Sequence, residues 1–354
     1  METVYITKDN RKEVHDFVLR SPDAWLFHLY DWEEICQQAF GQQPLSFILE
    51  DENGKLIGLT PLTLRKELGF KILLSAGFGG GGGVALCPDL SKKRRKKALQ
   101  RCYEEIGFLA RKHRADYIQI TIPPTAESYF PGSRSNVNPL LYWGFQDTSR
   151  CVYLLDLSKD MDEIWMNLSV SCRNEVRQAQ KRGVQIERAQ GEDDIDEFFD
   201  MLVETLKRTK AGQFPYPYFR LIWDHWGGER DWVNLFFATH NGNRIAGAII
   251  GKFKKGGVYW SAASRAEYHT LRPNNLLQWE CIRWLKAEGC RWYEIGEAYL
   301  FPKSPKERGL DLFKRSFGGD VHYLYQGVIV YHPWKYHLLR YLLNFRDKVK
   351  GMFV

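Results

Sequence analysis

Two segments of the chain share one pattern, in which the end of a helix is followed by a polar turn and an aromatic strand. They are RKHRADYIQI (111–120) and KAEGCRWYEI (286–295), and each comes after helices and an antiparallel set of strands. The pattern predicts a mixed α/β architecture that arose by internal duplication of one domain, with the boundary near residue 150.

Helical and strand patterns alternate along the rest of the chain. We expect helices over YDWEEICQQAF (30–40), from Ser91 to His113, from Met161 to Arg182 and from Ile195 to Lys207. An Asn-Gly turn joins strands of an antiparallel meander, WVNLFFATH (232–240), RIAGAIIGKF (244–253) and GGVYWSAA (256–263). The run YLYQGVIVY (323–331) predicts one last strand.

The overall composition indicates a folded protein that has an anionic partner. The chain has 354 residues, 44% of them apolar, and a net charge of +7. Its seven cysteines are scattered without a CxxC pair, which favours a reducing, cytoplasmic location and no metal site. The charged first residues do not resemble a signal peptide, and no apolar run has the length of a bilayer span.

The stretch GFGGGGG (77–83) raises the question of a phosphate-binding loop. It lacks the Lys-Ser/Thr pair of a P-loop, and the spacing to an acidic residue that a dinucleotide site requires is also missing. The run therefore does not predict a nucleotide site.

Four stretches taken together resemble the FemABX-type aminoacyltransferases and the related BioF-like acyltransferases. They are WLFHLYDWEEICQQAFG (25–41), SAGFGGGGGVA (75–85), IWMNLSVSCRNEVRQAQKRGVQIE (164–187) and YHTLRPNNLLQWECIRWLKAEGCRWYEIG (268–296) followed by KERGLDLFKRSFGG (306–319). The last is the most specific, and its matching residues are Gly309, Phe313, Lys314, Phe317 and Gly318. The order and spacing of these motifs cover nearly the whole chain.

The resemblance implies two tandem GNAT-like domains, each a mostly antiparallel mixed sheet flanked by helices. Residues 1–150 would form the acceptor side and residues 151–332 the acyl-donor side, followed by a basic amphipathic helix over 333–354. Two features depart from the family pattern. No segment is long enough for the helical arm of some members, and Glu297 replaces a small residue after the acidic position at Glu294.

The implied reaction moves an acyl or aminoacyl group onto an amine of a cell-envelope or polysaccharide precursor. The co-substrate would be aminoacyl-tRNA or acyl-CoA, with no permanently bound cofactor. One alternative is an acyl-CoA-dependent N-acyltransferase acting on an amino sugar. Another, from a different class, is a non-catalytic module that binds RNA or a membrane through the same basic surfaces.

The resemblance also implies that Phe313 and Lys314 line the acyl-transfer channel, the alternative for Lys314 being an exposed lysine at a basic helix end. Two splayed strands of the fold would offer a backbone N–H to the acyl carbonyl, and we expect these to be 244–253 and 256–263. The loop SRAEYHTLRPNN (264–275) lacks the glycines of an acyl-CoA pyrophosphate loop but brings three cations. The residues that we assign to substrate binding in these segments are Tyr259, Trp260, Arg265, Arg272, Asn275 and Glu297, with His269 adding positive charge.

Further surfaces remain open to two interpretations each. Arg173, Arg177 and Lys181 follow i, i+4, i+8 spacing and form either a clamp for an anionic acceptor or a solvated face. The cations of Lys92–Lys97 dock an anionic partner or are simply solvated. Gly79, Gly80 and Gly81, with the rest of the run to Gly83, form a wall of the acceptor site or a flexible loop.

The C-terminal segment PWKYHLLRYLLNFRDKVKGMFV (333–354) has apolar residues on one face and basic residues opposite. It predicts a helix that lies on anionic lipid at the inner face of the membrane, or one that packs on its own domain or on a partner subunit.

Overall fold

The computed structural model describes the chain apart from residues 78–79, 134–135, 211, 213 and 353–354, and describes only the backbone of residues 344–352. The described chain forms two compact units. Of the described residues, the first contains Met1–Arg150 and Leu324–Lys348, and the second contains Cys151–Tyr323 and the end of the last helix from Val349 onward.

The described residues of the first unit form two sheets and four α-helices. One sheet has the strand order β1-β3-β4-β7, and the other has the order β2-β5-β6-β8-β17-β9. The strands are β1 (Glu2–Tyr5), β2 (Gln43–Pro44), β3 (Phe47–Glu50), β4 (Leu56–Thr60), β5 (Leu62–Glu67), β6 (Phe70–Ser75), β7 (Ala85–Leu86), β8 (Tyr117–Thr121), β9 (Gln146–Asp147) and β17 (Gln326–Val330). The helices are α1 (Arg11–Arg20), α2 (Tyr30–Phe40), α3 (Lys92–His113) and α10 (Pro333–Met352).

The described residues of the second unit form one seven-stranded sheet, in the order β11-β12-β13-β14-β15-β10-β16, and six α-helices. The strands are β10 (Arg150–Asp156), β11 (Gln185–Arg188), β12 (Val233–His240), β13 (Asn243–Phe253), β14 (Gly256–Ser264), β15 (Trp292–Glu297) and β16 (Asp320–Leu324). The helices are α4 (Met161–Asn167), α5 (Val170–Lys181), α6 (Asp193–Thr209), α7 (Tyr216–Trp226), α8 (Pro273–Ala287) and α9 (Pro305–Arg315). The expected mixed α/β class is confirmed.

Each unit contains one strand–helix–strand crossover, and the two repeated sequence segments lie in these crossovers. Parallel pairing joins Ile72–Leu74 of β6 to Tyr117–Gln119 of β8, with α3 between them in the chain. In the second unit it joins Gly256–Val258 of β14 to Trp292–Glu294 of β15, with α8 between them. Because parallel neighbours need a crossover connection, the repeated pattern marks the same supersecondary unit in both halves.

The helix expected from Met161 to Arg182 is instead two helices, α4 and α5. Leu168 leaves the helical conformation with φ −62° and ψ 143°. The Ser169 side chain then accepts a hydrogen bond from the backbone N–H of Cys172 at 3.1 Å and caps α5. An N-cap serine inside a continuous apolar stripe starts a new helix there, which the helical spacing alone does not reveal.

The single last strand expected over 323–331 is also divided. It forms β16 in the sheet of the second unit and β17 in a sheet of the first unit, with Tyr325 between them. β17 pairs antiparallel with β8 and with β9. Residues 324–332, expected in the second domain, therefore lie in the first unit, because strand alternation identifies a strand but not its sheet.

Among the described residues, no helix has both the length and the apolar composition that a membrane span requires.

Candidate active site in the second unit

The sheet of the second unit opens between β14 and β15. Their parallel pairing covers three residues of each strand and ends at Val258 and Glu294, although β14 continues to Ser264. By contrast, β13 and β14 remain paired from Phe253–Gly256 to Ala246–Ser264, with a register shift between Ile249 and Ile250. The expected splayed pair was therefore wrong by one strand, because β14 parts from β15 and not from β13.

The opening exposes one edge of β14. The N–H of Arg265 bonds to Ile245 of β13, whereas the N–H of Ser264 points the other way and donates to Oγ1 of Thr205 at 3.0 Å. Since strand residues alternate, the backbone of Ala262 faces this same open edge. α6 covers the edge at Ser264, whose carbonyl oxygen also accepts from Arg208. This contribution from Thr205 and Arg208 was not predicted, because it depends on how α6 packs on β14.

Lys314 lies at the end of β15 beyond the point where the two strands part. Its Nζ donates to the backbone oxygen of Glu297 at 2.9 Å. The chain contacts the lysine at Gly296, which has φ +106°, and a Cβ there would lie 3.3 Å from Nζ. Glycine is therefore required at this position for its backbone conformation and for the close approach of the lysine.

Burial lowers the pKa of Lys314, and the carboxylates of Glu297, Glu294 and Asp311 only partly oppose this effect. The ammonium group also lies 5.3 Å from the ring centre of Tyr299. A desolvated ammonium can stabilise negative charge that develops on a bound carbonyl or phosphate.

Asp311 supports this arrangement, and the sequence interpretation missed it. Its Oδ1 accepts hydrogen bonds from the Tyr153 hydroxyl and from the backbone N–H of Tyr299, both at 2.9 Å. These bonds tie α9 to β10 and to the segment after β15. The i, i+3 spacing of Asp311 and Lys314 on one helix was the available signal.

Phe313 has a packing role in the structure. It is partly buried against the core of the second unit, and its ring meets that of Phe317 edge to face at 5.1 Å. Phe317 is fully buried, and a Cβ at Gly318 would lie 2.5 Å from the backbone oxygen of Asn167. Part of the Phe-Lys…Phe-Gly motif thus reflects the close packing of α9 on α4.

The three cations of α5 have different surroundings. Arg173 donates to the backbone oxygens of Met166 and Leu168 at 2.7 and 2.5 Å, so it caps the end of α4. The exposed guanidinium of Arg177 lies 5.3 Å from the ring centre of Trp165. Lys181 is exposed. Of these three cations, Arg177 and Lys181 have exposed charges that could contact an anion, as a clamp requires.

Three other expected binding residues make contacts within the unit. The indole of Trp260 donates to the Tyr218 hydroxyl at 2.9 Å, and Tyr259 packs partly buried against the core. Asn275 is buried and donates to Glu175 at 2.9 Å, which links α8 to α5. These contacts give each of the three residues a structural role that does not need a bound substrate.

The loop expected to bind pyrophosphate forms a short 3-10 helix, Ala266–Leu271, before α8 begins at Pro273. Arg265 lies 3.6 Å from Glu204, and Arg272 lies 3.7 Å from Glu175. His269 contacts the Ser264 hydroxyl at 3.1 Å. Two of the three expected cations therefore have acidic partners already, although neither ion pair is buried.

In the first unit, the described part of the glycine run is packed against protein. Gly81 is buried against the backbone of Pro123, and a Cβ at Gly80 would lie 2.6 Å from the oxygen of Ala76. His28 Nε2 contacts the oxygen of Gly83 at 2.9 Å. Close packing accounts for the absence of side chains at Gly80 and Gly81, and their part in a wall of the acceptor site stays a prediction. Gly79 lies outside the described residues.

Comparison with known proteins assigns this unit to a class. Residues 169–303 match the family model described as an acetyltransferase (GNAT) domain. That range includes β13, β14, α8 and β15 and thus contains the strand opening. No curated protein is significantly similar to the chain in sequence.

Three solved structures show the same fold over nearly the whole chain. The structure of FemX is 18% identical, covers 96% of this chain and 99% of its own, and superposes with a TM-score of 0.73. A tandem GNAT protein from the clavulanic acid biosynthesis pathway is 11% identical, with coverages of 93% and 98% and a TM-score of 0.56. A C-terminal domain of a putative lysylphosphatidylglycerol synthetase from Agrobacterium fabrum is 14% identical, with coverages of 90% and 92% and a TM-score of 0.54.

The second unit therefore carries a GNAT domain, and the whole chain has the fold of FemX and of tandem GNAT proteins. The resemblance to FemABX-type enzymes is confirmed at the level of the fold, and the domain model that matches residues 169–303 is that of a GNAT acetyltransferase.

Proposed function

We propose that the protein transfers an acyl or aminoacyl group from an activated donor to an amine of a cell-envelope or polysaccharide precursor. The observation that carries the proposal is the partly buried ammonium of Lys314, which donates to Glu297 at the end of β15, the strand whose pairing with β14 stops at Glu294. The fold shared with FemX supports it, as does the likeness to a putative lysylphosphatidylglycerol synthetase, whose named product contains a lysyl group.

In the proposed reaction the amine nitrogen attacks the carbonyl carbon of the donor. The new C–N bond forms, and the C–O bond of an aminoacyl ester or the C–S bond of a thioester breaks. The amine loses one proton, and the departing hydroxyl or thiol group takes one up. The backbone N–H groups on the open edge of β14 would hold the acyl carbonyl, and Lys314 would stabilise the oxyanion or a donor phosphate. Glu297 positions Lys314 through its backbone oxygen.

We favour aminoacyl-tRNA as the donor over acyl-CoA. The loop before α8 has no glycine, Pro273 supplies no N–H to the first turn, and Arg265 and Arg272 have acidic partners. An acyl-CoA-dependent N-acyltransferase acting on an amino sugar remains the second candidate, because the matching domain model is described as an acetyltransferase.

A donor panel tests the proposal. The protein is incubated with amino-sugar and lysine-containing acceptors, together with either a set of aminoacyl-tRNAs or a set of acyl-CoAs. Mass spectrometry then identifies which donor is consumed and which acceptor gains mass. Consumption of acyl-CoA alone would contradict the aminoacyl-tRNA donor and support the acyl-CoA-dependent N-acyltransferase. Salt-dependent tRNA binding with no acyl transfer in any combination would instead support a non-catalytic RNA-binding module.

Substitution of Lys314 tests its proposed role most directly. We expect Lys314→Ala to lower kcat/KM by about 100-fold or more, the usual effect of losing one donor to an oxyanion, with Lys314→Arg retaining part of the activity. Arg315→Ala is the matched control, because Arg315 is the exposed neighbour on the same helix. Thermal unfolding of each variant verifies folding, and full activity in folded Lys314→Ala would remove the proposed role.

We further propose a peripheral contact with anionic lipid at the inner face of the membrane. On α10, Trp334, Leu338 and Tyr341 are exposed and lie on one face, while Leu339 is buried in the first unit. α10 therefore packs on its own unit and still presents apolar side chains outward. The side chains of the expected helix beyond residue 343 lie outside the described residues.

Vesicle sedimentation tests this contact. We expect the triple variant Trp334→Ser, Leu338→Ser, Tyr341→Ser to reduce binding to vesicles containing phosphatidylglycerol, because interfacial binding scales with buried apolar area. The control is Leu312→Ser, an exposed leucine of the second unit. Equal sedimentation of the two variants would contradict the proposed contact.

The basic start of α3 is a second candidate for anion binding. Arg94 pairs with Asp51 at 3.1 Å and Arg95 with Asp23 at 2.7 Å, whereas the four lysines of Lys92–Lys97 are exposed. The charge available to a tRNA or a membrane is thus that of the lysines, and its contribution would appear as salt-dependent binding.

A further inference from the structure

Two adjacent apolar side chains are exposed in the loop between β15 and α9. The exposed fraction is 53% for Leu300 and 87% for Phe301, and the second value is the highest among the large apolar side chains of the described residues. A single exposed apolar residue is common on protein surfaces and needs no explanation. Because exposed apolar area is unfavourable in water, however, an adjacent pair would gain free energy by entering an apolar environment.

The loop that carries this pair is anchored on both sides. Before the pair, the backbone N–H of Tyr299 donates to Asp311 of α9 at 2.9 Å. After it, the backbone N–H of Lys303 donates to the carboxylate of Glu307, also on α9. Pro302 restricts the backbone between these two bonds. The exposed pair therefore lies in the middle of a loop whose two ends are fixed on the same helix.

Exposed cations flank this loop. Nζ of Lys306 donates to the backbone oxygen of Thr209 at 2.8 Å, so the end of α6 lies beside the start of α9. Residues 205–210 and 300–310 together carry six lysines and arginines and one acidic residue. The flanking cations are Lys207, Arg208, Lys210, Lys303, Lys306 and Arg308, and all six are exposed.

The charge of this surface is available to a partner. Among the described residues, no carboxylate forms an ion pair with Lys303 or Arg308. An apolar pair beside cations complements the surface of an anionic bilayer, in which apolar side chains enter the interface and lysine and arginine contact the headgroups. An RNA would use the cations but not Leu300, because stacking on a base requires a planar side chain. A protein partner would need a much larger apolar area, about 800 Å² on each side of a stable interface.

We propose that the loop of Leu300 and Phe301 docks the second unit on anionic phospholipid, with both side chains in the interfacial region and the flanking cations on the headgroups. This contact is separate from the one proposed for α10. The ring of Tyr299, next to the pair, lies 5.3 Å from the ammonium of Lys314, so the docked loop would hold the proposed acyl-transfer site near the membrane surface. The docking itself does not depend on acyl transfer. Its failure and the failure of the proposed function can be distinguished, because vesicle binding is measured with no acyl donor or acceptor present.

The test is sedimentation of the full chain with vesicles of phosphatidylcholine, alone or mixed with phosphatidylglycerol. We expect the double variant Leu300→Ser, Phe301→Ser to lower the partition coefficient for the mixed vesicles by about tenfold or more, because two large apolar side chains no longer enter the interface. Phe301→Trp should retain binding, since tryptophan is favoured at a membrane interface. The same substitutions are repeated in the α10 triple variant, so that binding through α10 does not mask the loss.

A matched control lies in the first unit. Leu68 and Tyr142 are 56% and 79% exposed, close to the values of the proposed pair, and the double variant Leu68→Ser, Tyr142→Ser should leave the partition coefficient unchanged. Thermal unfolding of each variant verifies folding. Equal vesicle binding by the two double variants would overturn the proposal.

A charge variant tests the second half of the contact. Lys303→Gln, Arg308→Gln should weaken binding to the mixed vesicles and reduce its dependence on salt, because attraction to anionic headgroups is screened by ions. Unchanged binding and salt dependence in this variant would overturn the role of the cations. If the variant Leu300→Ser, Phe301→Ser lost salt-dependent RNA binding and kept its vesicle binding, the partner would be a nucleic acid and the proposal would be wrong.

Discussion

Glu33 is a carboxyl group that the fold buries, with its side-chain oxygen accepting the backbone N–H of Ser46 at 3.1 Å. Burial raises its pKa to about 7, and the hydrogen bonds from Ser46 oppose this only in part. Because the folded pKa lies above the ordinary carboxyl value, the native state binds more protons between about pH 4.5 and 7. Folding stability is therefore lost as the pH rises through this window.

The expected loss from Glu33 is up to about 3 kcal/mol of unfolding free energy between pH 5 and pH 8. Glu33→Gln retains the acceptor for Ser46 and cannot ionise, so its stability relative to the wild type should increase over the same interval. Urea unfolding at the two pH values measures this difference. Glu34→Gln, a change at the neighbouring carboxyl group, is the control, and an identical pH dependence in both variants would contradict the assignment.

Single residues show what sequence reasoning reaches and what it does not. Lys314 was singled out because the motif around it is specific, and its place in an acyl-transfer channel stays a prediction. Asp311 and Gly296 were missed, although both lie in quoted motifs. Their roles depend on a side-chain bond to Tyr299 and on a backbone angle, and the chain acquires both only when α9 packs on β15.

At the level of elements, the three cations of α5 should separate into a structural and a binding role. Arg173 caps two carbonyl groups at the end of α4, whereas Lys181 is exposed. We expect Arg173→Ala to lower the unfolding free energy by about 1–3 kcal/mol, since it removes charged hydrogen bonds. Lys181→Ala should change stability by no more than about 0.5 kcal/mol.

The binding role appears in the kinetics of the same variants. If Lys181 contacts an anionic acceptor, Lys181→Ala should raise the acceptor KM with little change in kcat. The reason is that the lysine would bind the acceptor equally well in the ground state and in the transition state. Arg177→Ala is the companion variant, and an unchanged KM in both would leave α5 with a purely structural face.

The elements themselves were largely accessible from periodicity, and their assignment to sheets was not. The meander β12–β13–β14 formed as expected because its Asn-Gly turn sets the hairpin, with Asn241 and Gly242 at φ 51° and 78°. The run LIGLTPLTLRK (56–66), by contrast, crosses from one sheet to another at Pro61. A proline cannot donate a hydrogen bond within a sheet, so it predicts that the strand is interrupted. It does not predict which sheet the next strand joins.

For the whole molecule, the path of the chain back into the first unit has a testable consequence. β17 lies between β8 and β9 in the six-stranded sheet, and α10 buries Leu339 against that unit. Lys335 also pairs with Asp116 at 2.8 Å. A chain that ends at residue 323 lacks an interior strand of the first unit although all of its residues 1–150 are present.

We expect the chain 1–323 to lose the first unit selectively. Hydrogen exchange should show β6 and β8 unprotected, because an interior strand supplies backbone partners and apolar cover that solvent does not replace. The strands of the second unit, β12 to β14, should retain protection because all their partners lie before residue 323. A chain that ends at residue 348 is the matched control and should keep both patterns. Native protection of β8 in the chain 1–323 would show that the first unit folds without the returning strand.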